Sequence, residues 1–411
     1  MPTFESGRTL PAKSLDFWFD YTCPYAYLGS TQAPALAKRM GVPLTYRPLL
    51  LGGVFRANDT PQKLFATLSP AKAKHNLEDM SRWAQRFGVT LTMPANHPMR
   101  SVEALRSTLV SGVDPKVVDA FFRAYWVENA DIGDRAVIAR VITACGHDAE
   151  KVLAAIDTQC VKDVLRERTD EAVALGIFGV PAWVVDGTHL YWGQDRIAFV
   201  EGEAREPVTA ARASSGSTVD LYWDFSSPFA YLGATQAAAL AKKTGATVRW
   251  KPTFLGGLFR AIGMVDMPLA TFSAAKQRYI GQDIHRWAAY WEVPFRFPSR
   301  FPTNSVRALR VYLALPEDRQ DAYRGAVFHA FWVEDRDITD DAVLASCVGD
   351  EAIAKEALAR ADSPEIKLQL RTLTDEAAAR GVFGVPTYVV GDDLFWGQDR
   401  LDLVESALGL R

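Results

Sequence analysis

The sequence contains the same domain-length pattern twice, and this repeat constrains the fold more than any other feature. The offset is 204 residues from Cys23 to Ser227 and again from Asp195 to Asp399. The matched pairs are, in chain order, DYTCPYAYLGSTQAPALAKRMG and DFSSPFAYLGATQAAALAKKTG, LLGGVFRA and FLGGLFRA, FGVPAWVV and FGVPTYVV, and YWGQDRI and FWGQDRL. Such spacing predicts two whole copies of one domain in tandem.

Each copy has the order of elements of a thioredoxin-like fold. A strand (LDFWFDY or DLYWDF), a helix and a strand come first, and a strand after FGVP, a strand into WGQDR and a final helix close the copy. Cys23 and Pro181 are 158 residues apart, roughly a hundred more than the fold needs. The intervening sequence has helical periodicity. We therefore predict an α/β protein with two thioredoxin-like domains in tandem, each with an inserted all-helical subdomain.

The repeat also predicts the domain boundaries. The first domain is expected at 1–203, with its helical insertion at about 56–170, and the second at 218–411, with its insertion at about 260–375. Residues 204–217 join them and contain Pro, Gly, Ser and Ala without an apolar period. That composition is typical of an exposed linker.

Composition excludes several classes of function. The 411 residues carry 46 Lys plus Arg against 49 Asp plus Glu, a net charge of −3, so the chain lacks the basic field that a nucleic-acid backbone requires. No apolar run approaches the roughly 18 residues of a membrane span, and the first residues do not resemble a signal peptide. We expect a cytoplasmic protein without nucleic-acid or membrane partners.

Most cysteines and two tryptophans are expected to be structural. The four cysteines show no metal-ligand or dithiol spacing, so no metal site is predicted. The residues expected in the core are Cys145, Cys160, Cys347, Trp126 and Trp332.

Cys23 and Ser227 occupy the same position, where a strand gives way to a helix. Pro24 follows Cys23 directly, and the free N–H groups and dipole of a helix start favour an anion, so a low thiol pKa is expected. Ala26 and Ala230 stand where a second cysteine would complete a dithiol motif. Ser227 is either a helix N-cap or a donor of a hydrogen bond to a ligand's thiolate.

Two further motifs accompany this position. Val180-Pro181 and Val385-Pro386 begin strands, and a cis bond there would leave the preceding backbone groups free for a ligand. The motif GQDR precedes the last helix of each copy. Asp195 and Asp399 are either helix N-caps or, together with Gln194 and Gln398, contacts for the amino-acid end of a peptide-like ligand.

Two residues outside these motifs are weaker candidates. Lys276, which matches Lys72, lies either on a solvated helix face or against a ligand carboxylate. Asn304 stands where the first copy has Arg100. This difference in polarity makes Asn304 a candidate substrate contact.

Each half of the chain resembles the 2-hydroxychromene-2-carboxylate isomerase family, which is related to kappa-class glutathione transferases and more distantly to DsbA-like oxidoreductases. The resemblance spans nearly all of both copies, and the segments that carry it are DFSSPFAYLG, FLGGLFRA, KQRYIGQDIHRWA, FPTNSVRALR, AFWVEDRDI, GVFGVPTYVV and FWGQDRL. It implies glutathione as cofactor and an aromatic substrate. Family members isomerise a ring-closed chromene carboxylate to an open-chain o-hydroxybenzylidenepyruvate during breakdown of naphthalene-like aromatics.

The resemblance also implies roles for residues of the second copy. Ser227 would hydrogen-bond the sulfur of glutathione, the backbone of Val385 before Pro386 would pair with its cysteinyl part, and Gln398 and Asp399 would hold its γ-glutamyl end. The implied reaction is reversible addition of the thiolate to an unsaturated ketone, with rotation about the bond made single. The residues expected on the apolar wall of the pocket are Phe229, Tyr231 and Trp396.

The first copy departs from the family pattern at three positions. It has Cys23, His75 and Arg100 where the second has Ser227, Tyr279 and Asn304. Three functions therefore stay open. They are a glutathione-dependent isomerase or transferase with its best-matched site in the second copy, a monothiol oxidoreductase acting through Cys23, and a binding protein without catalysis. Family members pair as dimers, which leaves open an internal pseudo-dimer of the two copies.

Overall fold

The structure, a computed structural model, describes residues 12–62, 64–202, 216–265 and 268–409. Residues 204–215 of the predicted linker lie outside the described part. Among the described residues, no helix is both long enough and apolar enough to cross a membrane.

The chain forms two compact units, and each exchanges one short segment with the other repeat. The first unit comprises Met1–Thr67, Leu77–Ala204 and Phe272–Tyr279. The second comprises Leu68–Asn76, Arg205–Thr271 and Ile280–Arg411. Each unit is therefore one repeat that lacks its own short segment and contains the matching segment of the other.

A four-stranded mixed sheet lies in the first unit. Its strands are β1 (Leu15–Phe19), β2 (Leu44–Pro48), β3 (Ala182–Val185) and β4 (His189–Trp192), in the order β2-β1-β3-β4. Strand β1 pairs parallel with β2 and antiparallel with β3, and β3 pairs antiparallel with β4. This is the arrangement expected of a thioredoxin-like domain.

The helices of the first repeat fall almost entirely between β2 and β3. They are α1 (Pro24–Met40), α2 (Leu51–Ala57), α3 (Pro70–Phe87), α4 (Val102–Val110), α5 (Pro115–Trp126), α6 (Arg135–Ala144), α7 (Ala149–Ala155), α8 (Gln159–Ala174) and α9 (Ile197–Glu201). Helices α2 to α8 lie between β2 and β3, the part of the chain in which the insertion was predicted. Gly176, two residues after α8, has φ of +82° and ends that helix in the left-handed conformation that glycine favours.

The second repeat has the same succession of elements. Its strands are β5 (Thr218–Trp223), β6 (Thr247–Pro252), β7 (Thr387–Val390) and β8 (Asp393–Trp396), in the order β6-β5-β7-β8. Its helices are α10 (Pro228–Thr244), α11 (Leu255–Ala261), α12 (Ala274–Tyr290), α13 (Val306–Ala314), α14 (Glu317–Trp332), α15 (Asp341–Val348), α16 (Glu351–Arg360), α17 (Pro364–Ala379) and α18 (Leu401–Ala407). The predicted fold, two thioredoxin-like domains with helical insertions, is confirmed.

Buried tryptophans join the inserted helices to the end of the first strand of each copy. The indole N–H of Trp126 donates to the carbonyl of Tyr21 at 2.8 Å, and that of Trp332 donates to the carbonyl of Phe225 at 2.9 Å. Both side chains are fully buried, so their prediction as core residues is confirmed. The prediction for Cys160 is wrong because that side chain is exposed, and Cys145 and Cys347 are only partly buried.

Candidate functional site

Ser227 begins α10 at the end of the segment that leaves β5. Its hydroxyl oxygen accepts a hydrogen bond from the N–H of Ala230 at 3.1 Å and donates one to the carbonyl of Val385 at 3.0 Å. The side chain is 5% exposed. Ser227 is therefore the N-cap of α10, which confirms one of the two interpretations of the sequence. It also contacts the backbone of Val385, where a ligand contact was predicted.

The segment that Ser227 contacts has the predicted cis bond. Both Val385-Pro386 and Val180-Pro181 are cis. In the part of the chain that the structure describes, no group accepts a hydrogen bond from the N–H of Val385. This donor and the neighbouring carbonyl are backbone groups that an extended ligand could pair with.

Cys23 makes the equivalent contact in the first unit. It precedes α1, and its sulfur lies 3.1 Å from the carbonyl oxygen of Val180, to which the thiol donates. Unlike Ser227, its side chain accepts no cap hydrogen bond. In both repeats, therefore, the side chain at this position donates to the carbonyl of the valine before the cis-proline.

The expected low pKa of Cys23 is wrong. Burial raises the pKa of the thiol to about 12, although the N–H groups of Ala26 and Tyr25 act in the opposite direction. Desolvation of a thiolate outweighs the helix terminus here because the sulfur is enclosed in the core of the first unit. At neutral pH the thiol is protonated.

A buried aspartate, which sequence reasoning missed, orients each of these helix starts. Asp224 accepts hydrogen bonds from the N–H groups of Ser226 and Leu255 at 3.0 and 2.7 Å, and its carbonyl accepts from the N–H of Ser227. Asp20 does the same for the segment before Cys23. Burial raises the pKa of both carboxyls. The sequence does contain a signal for this role, because an aspartate follows the first apolar strand in both copies.

The GQDR motifs lie beside the start of the site helix. The turn Gln398–Arg400 contacts α10, and Gln398 is buried. Gly397 has φ of +112°, and a side chain there would collide with the carboxylate of Asp399. The motif is thus held in one conformation next to the helix that Ser227 caps.

The interpretation of the GQDR aspartates as helix N-caps is wrong. Arg400 is the N-cap residue of α18, and Asp399 instead pairs with the guanidinium of Arg400 at 3.2 Å. Asp195 and Arg196 form the same pair at 3.1 Å before α9. Gln194, like Gln398, is buried.

Three expected site residues lie elsewhere. Tyr231 is buried, stacks on Trp332 and donates its hydroxyl hydrogen to the carbonyl of Pro294 at 2.7 Å, so it belongs to the core and not to a pocket wall. Asn304 is exposed, and its side-chain oxygen accepts from the N–H of Val306 at the start of α13.

Lys276 is the third of these residues. It belongs to the first unit and not to that of Ser227, and its ammonium lies 5.6 Å from the ring centre of Trp192. Lys72, its counterpart in the first repeat, belongs to the second unit and lies 5.1 Å from the ring centre of Trp396. Each lysine thus lies in the compact unit that consists mainly of the other repeat.

Two expected wall residues do lie near the site. Phe229, two residues after Ser227, is half-buried against the core of the second unit. The indole of Trp396 packs so closely on Gly384 that a side chain at Gly384 would meet its ring nitrogen at 2.7 Å. Trp396 therefore flanks the segment that Ser227 contacts, and Phe229 lies close to Ser227 in the first turn of α10.

With this geometry in place, comparison with known proteins gives the family. The DSBA-like thioredoxin domain matches the chain twice, at residues 14–204 and 218–409. The chain belongs to the DsbA-like thioredoxin family. Two matches of this length, each covering one repeat, show that the chain is a tandem duplication of one such domain.

Named relatives each match about half of this DsbA-like chain. A 2-hydroxychromene-2-carboxylate isomerase of Sphingobium xenophagum is 33% identical over 203 residues, which are 46% of this chain and 97% of that protein. A glutathione S-transferase kappa 1 of Rattus norvegicus is 30% identical over 213 residues, 46% of this chain and 91% of that protein. A solved 2-hydroxychromene-2-carboxylate isomerase structure is 32% identical with a TM-score of 0.42 and covers 47% of this chain and 94% of that one.

Proposed function

We propose that this protein is a glutathione-dependent isomerase of the 2-hydroxychromene-2-carboxylate type whose better-matched site is that of Ser227. The observation that carries the proposal is the hydrogen bond from the hydroxyl of Ser227 to the carbonyl of Val385, beside an N–H of Val385 that no described residue accepts. A polar side chain and an unpaired backbone N–H thus meet at a helix start. The relatives named as isomerases and as glutathione transferases support the same proposal.

The residues present fit the cysteinyl part of glutathione. Val385 offers an N–H that no described residue accepts and a carbonyl held by the hydroxyl of Ser227, a donor and acceptor pair that an extended peptide ligand can match by strand-like pairing. Once a ligand N–H takes over the carbonyl of Val385, the hydroxyl of Ser227 is released. Turning that hydroxyl costs about 1 kcal/mol, the net value of one hydrogen bond.

Glutathione, when bound, supplies a thiolate that adds reversibly to the unsaturated carbon of a ketone and leaves after rotation about the bond made single. The released hydroxyl of Ser227 donates to the sulfur, and the amide groups at the start of α10 favour its negative charge. Each contribution is on the order of 1 kcal/mol. Phe229 and Trp396 supply the apolar surface against which an aromatic substrate can pack.

A monothiol oxidoreductase acting through Cys23 is less well supported. Its thiol is buried, donates to the carbonyl of Val180 and is protonated at neutral pH because burial raises its pKa to about 12. Thiol exchange requires an accessible thiolate. The first unit therefore lacks, in this conformation, the nucleophile that such an enzyme needs.

The decisive experiment measures conversion of 2-hydroxychromene-2-carboxylate to its open-chain isomer with and without reduced glutathione. We expect turnover that depends on glutathione and falls at least tenfold in Ser227→Ala. Ser363→Ala is the matched control because Ser363 also caps a helix with proline at its first position and accepts from the N–H of Ile366 at 3.3 Å.

Equal losses in Ser227→Ala and Ser363→Ala would assign the effect to helix capping and not to chemistry. Full activity of Ser227→Ala together with an inactive Cys23→Ser would move the reaction to the first unit. Turnover of the wild-type protein that is unaffected by glutathione would overturn the proposed function.

A further inference from the structure

Each compact unit contains the beginning of a helix encoded in the other repeat. The second unit includes Leu68–Asn76, which carries the start of α3, and the first includes Phe272–Tyr279, which carries the start of α12. Residues of the first repeat are therefore available to the Ser227 site, and residues of the second to the Cys23 site.

In the second unit, two residues of α3 contact Trp396. The ammonium of Lys72 lies 5.1 Å from the ring centre of Trp396, within the range of a cation–π contact. The backbone N–H of Trp396 donates to Nε2 of His75 at 3.2 Å. The His75 ring also packs against Phe383, with ring centres 5.4 Å apart.

Trp396 joins these residues to the segment that Ser227 contacts. Its indole covers Gly384, which directly precedes Val385, and Val385 accepts the hydrogen bond of Ser227. Contacts therefore run from Ser227 to Val385, through its chain neighbour Gly384 to Trp396, and from there to Lys72, all within one unit. Lys72 stands at the far end of that path from the sulfur-binding position.

The ammonium of Lys72 faces the ring of Trp396 and no carboxylate among the described residues. No carboxylate of the described residues forms an ion pair with it, and burial lowers its pKa. An ammonium that is partly removed from water and faces only an aromatic ring gains most from an anion. A carboxylate of a ligand is an anion of suitable size.

The first unit repeats the geometry with one substitution. The N–H of Trp192 donates to the hydroxyl of Tyr279 at 2.8 Å, Lys276 lies 5.6 Å from the ring centre of Trp192, and a side chain at Gly179 would meet the ring nitrogen of Trp192 at 3.0 Å. Tyr279 takes the place of His75. The arrangement around the lysine is therefore a property of both units.

We infer that Lys72 and His75, encoded in the first repeat, complete the Ser227 site. Lys72 binds a carboxylate of the ligand, and His75 is a positioning residue that holds Trp396. Lys276 and Tyr279, encoded in the second repeat, complete the Cys23 site in the same way. The inference rests on the proposed function for the identity of the ligand, glutathione, which has two carboxylates.

The test is titration calorimetry of the full chain with reduced glutathione and with glutathione diethyl ester, in which both carboxylates are blocked. The Ser227-dependent part of the binding is defined as the part that Ser227→Ala weakens. Lys72→Ala should weaken that part about tenfold for glutathione, the effect of losing a charge-assisted hydrogen bond, and less than twofold for the diethyl ester. Lys276→Ala should weaken the part of glutathione binding that Ser227→Ala leaves unchanged.

Two further variants separate a binding role from a structural one. Lys74→Ala, which removes an exposed lysine two residues along the same helix, should change the affinity less than twofold. His75→Ala should weaken the Ser227-dependent binding, and His75→Tyr should restore it because Tyr279 accepts the equivalent N–H in the first unit.

The outcomes distinguish this inference from the proposed function. Suppose that glutathione binds and that Lys276→Ala, but not Lys72→Ala, weakens the Ser227-dependent part. The inference that Lys72 serves the Ser227 site is then wrong, and the proposed function stands. Equal weakening of glutathione and diethyl ester binding by Lys72→Ala would also overturn the role of Lys72. If glutathione does not bind to the wild-type protein, both are wrong.

Discussion

The hydroxyl oxygen of Ser227 lies 3.0 Å from the carbonyl oxygen of Val385 and donates its hydrogen to it. In the other unit the sulfur of Cys23 lies 3.1 Å from the carbonyl oxygen of Val180. A hydroxyl and a thiol thus make equivalent hydrogen bonds in the two units. The fold fixes where the side chain points, and the identity of the residue decides what chemistry it can support.

Alkylation of Cys23 should be slow at neutral pH and should accelerate as the pH rises. Burial raises the pKa of this thiol to about 12, so the reactive thiolate is scarce below that pH and increases about tenfold for each unit of pH. We expect labelling by iodoacetamide at pH 7.5 to be at least a hundredfold slower at Cys23 than at the exposed Cys160. Peptide mass spectrometry of timed samples measures both rates. A labelling rate that levels off below pH 8 would contradict the burial argument.

Gly384→Ala should damage the Ser227 site without preventing folding. The added methyl group would lie 2.7 Å from the indole nitrogen of Trp396, so the ring must move away from the segment that Ser227 contacts. We expect at least a tenfold loss of glutathione-dependent turnover and a loss of stability of about 1–3 kcal/mol. Gly281→Ala is the control, since a side chain at this position in α12 meets nothing within 4 Å. That control should be neutral or slightly stabilising.

Asp224→Asn should destabilise the protein although the two side chains have the same shape. Both carboxylate oxygens of Asp224 accept backbone N–H groups, and an amide would place its own N–H against one of them. We expect a loss of about 1–3 kcal/mol in the free energy of unfolding, measured by denaturant titration. Asp375→Asn removes only an exposed ion pair with Arg371 and should change stability by less than about 0.5 kcal/mol. Equal effects of the two variants would refute the role of Asp224.

Trp332→Phe should weaken the attachment of α14 to the end of β5. The variant removes the indole N–H that donates to the carbonyl of Phe225 at 2.9 Å and leaves a cavity at a fully buried position. A loss of about 2–4 kcal/mol is expected from the unpaired carbonyl and the lost packing. Trp126→Phe makes the matching change in the other unit and should cost a similar amount by calorimetric unfolding. A change below about 0.5 kcal/mol in either variant would show that the indole contact contributes little.

The repeat and its periodicity were enough to predict the fold. The offset between matched residues stays between 204 and 206 along the repeat, which leaves little freedom in how the copies align. The strand and helix patterns within one copy indicate the thioredoxin order. The position of Ser227 at a helix start and the cis bond before Pro386 were also predicted correctly. The helix start is a local feature, because a capping residue followed by proline specifies it. The cis bond was inferred from the place of the Val-Pro pair in the thioredoxin order of elements, since most X-Pro bonds are trans.

The environment of each site residue was decided only by the tertiary structure. The pKa of Cys23 is high and not low because residues distant in sequence remove its sulfur from water. Tyr231 lies in the core because α14 packs over it. Lys276 accompanies Trp192, 84 residues before it in the sequence, because the start of α12 belongs to the first unit. Desolvation and long-range packing depend on which segments meet in the folded chain. The matched patterns of two similar repeats do not reveal which copy a segment will join.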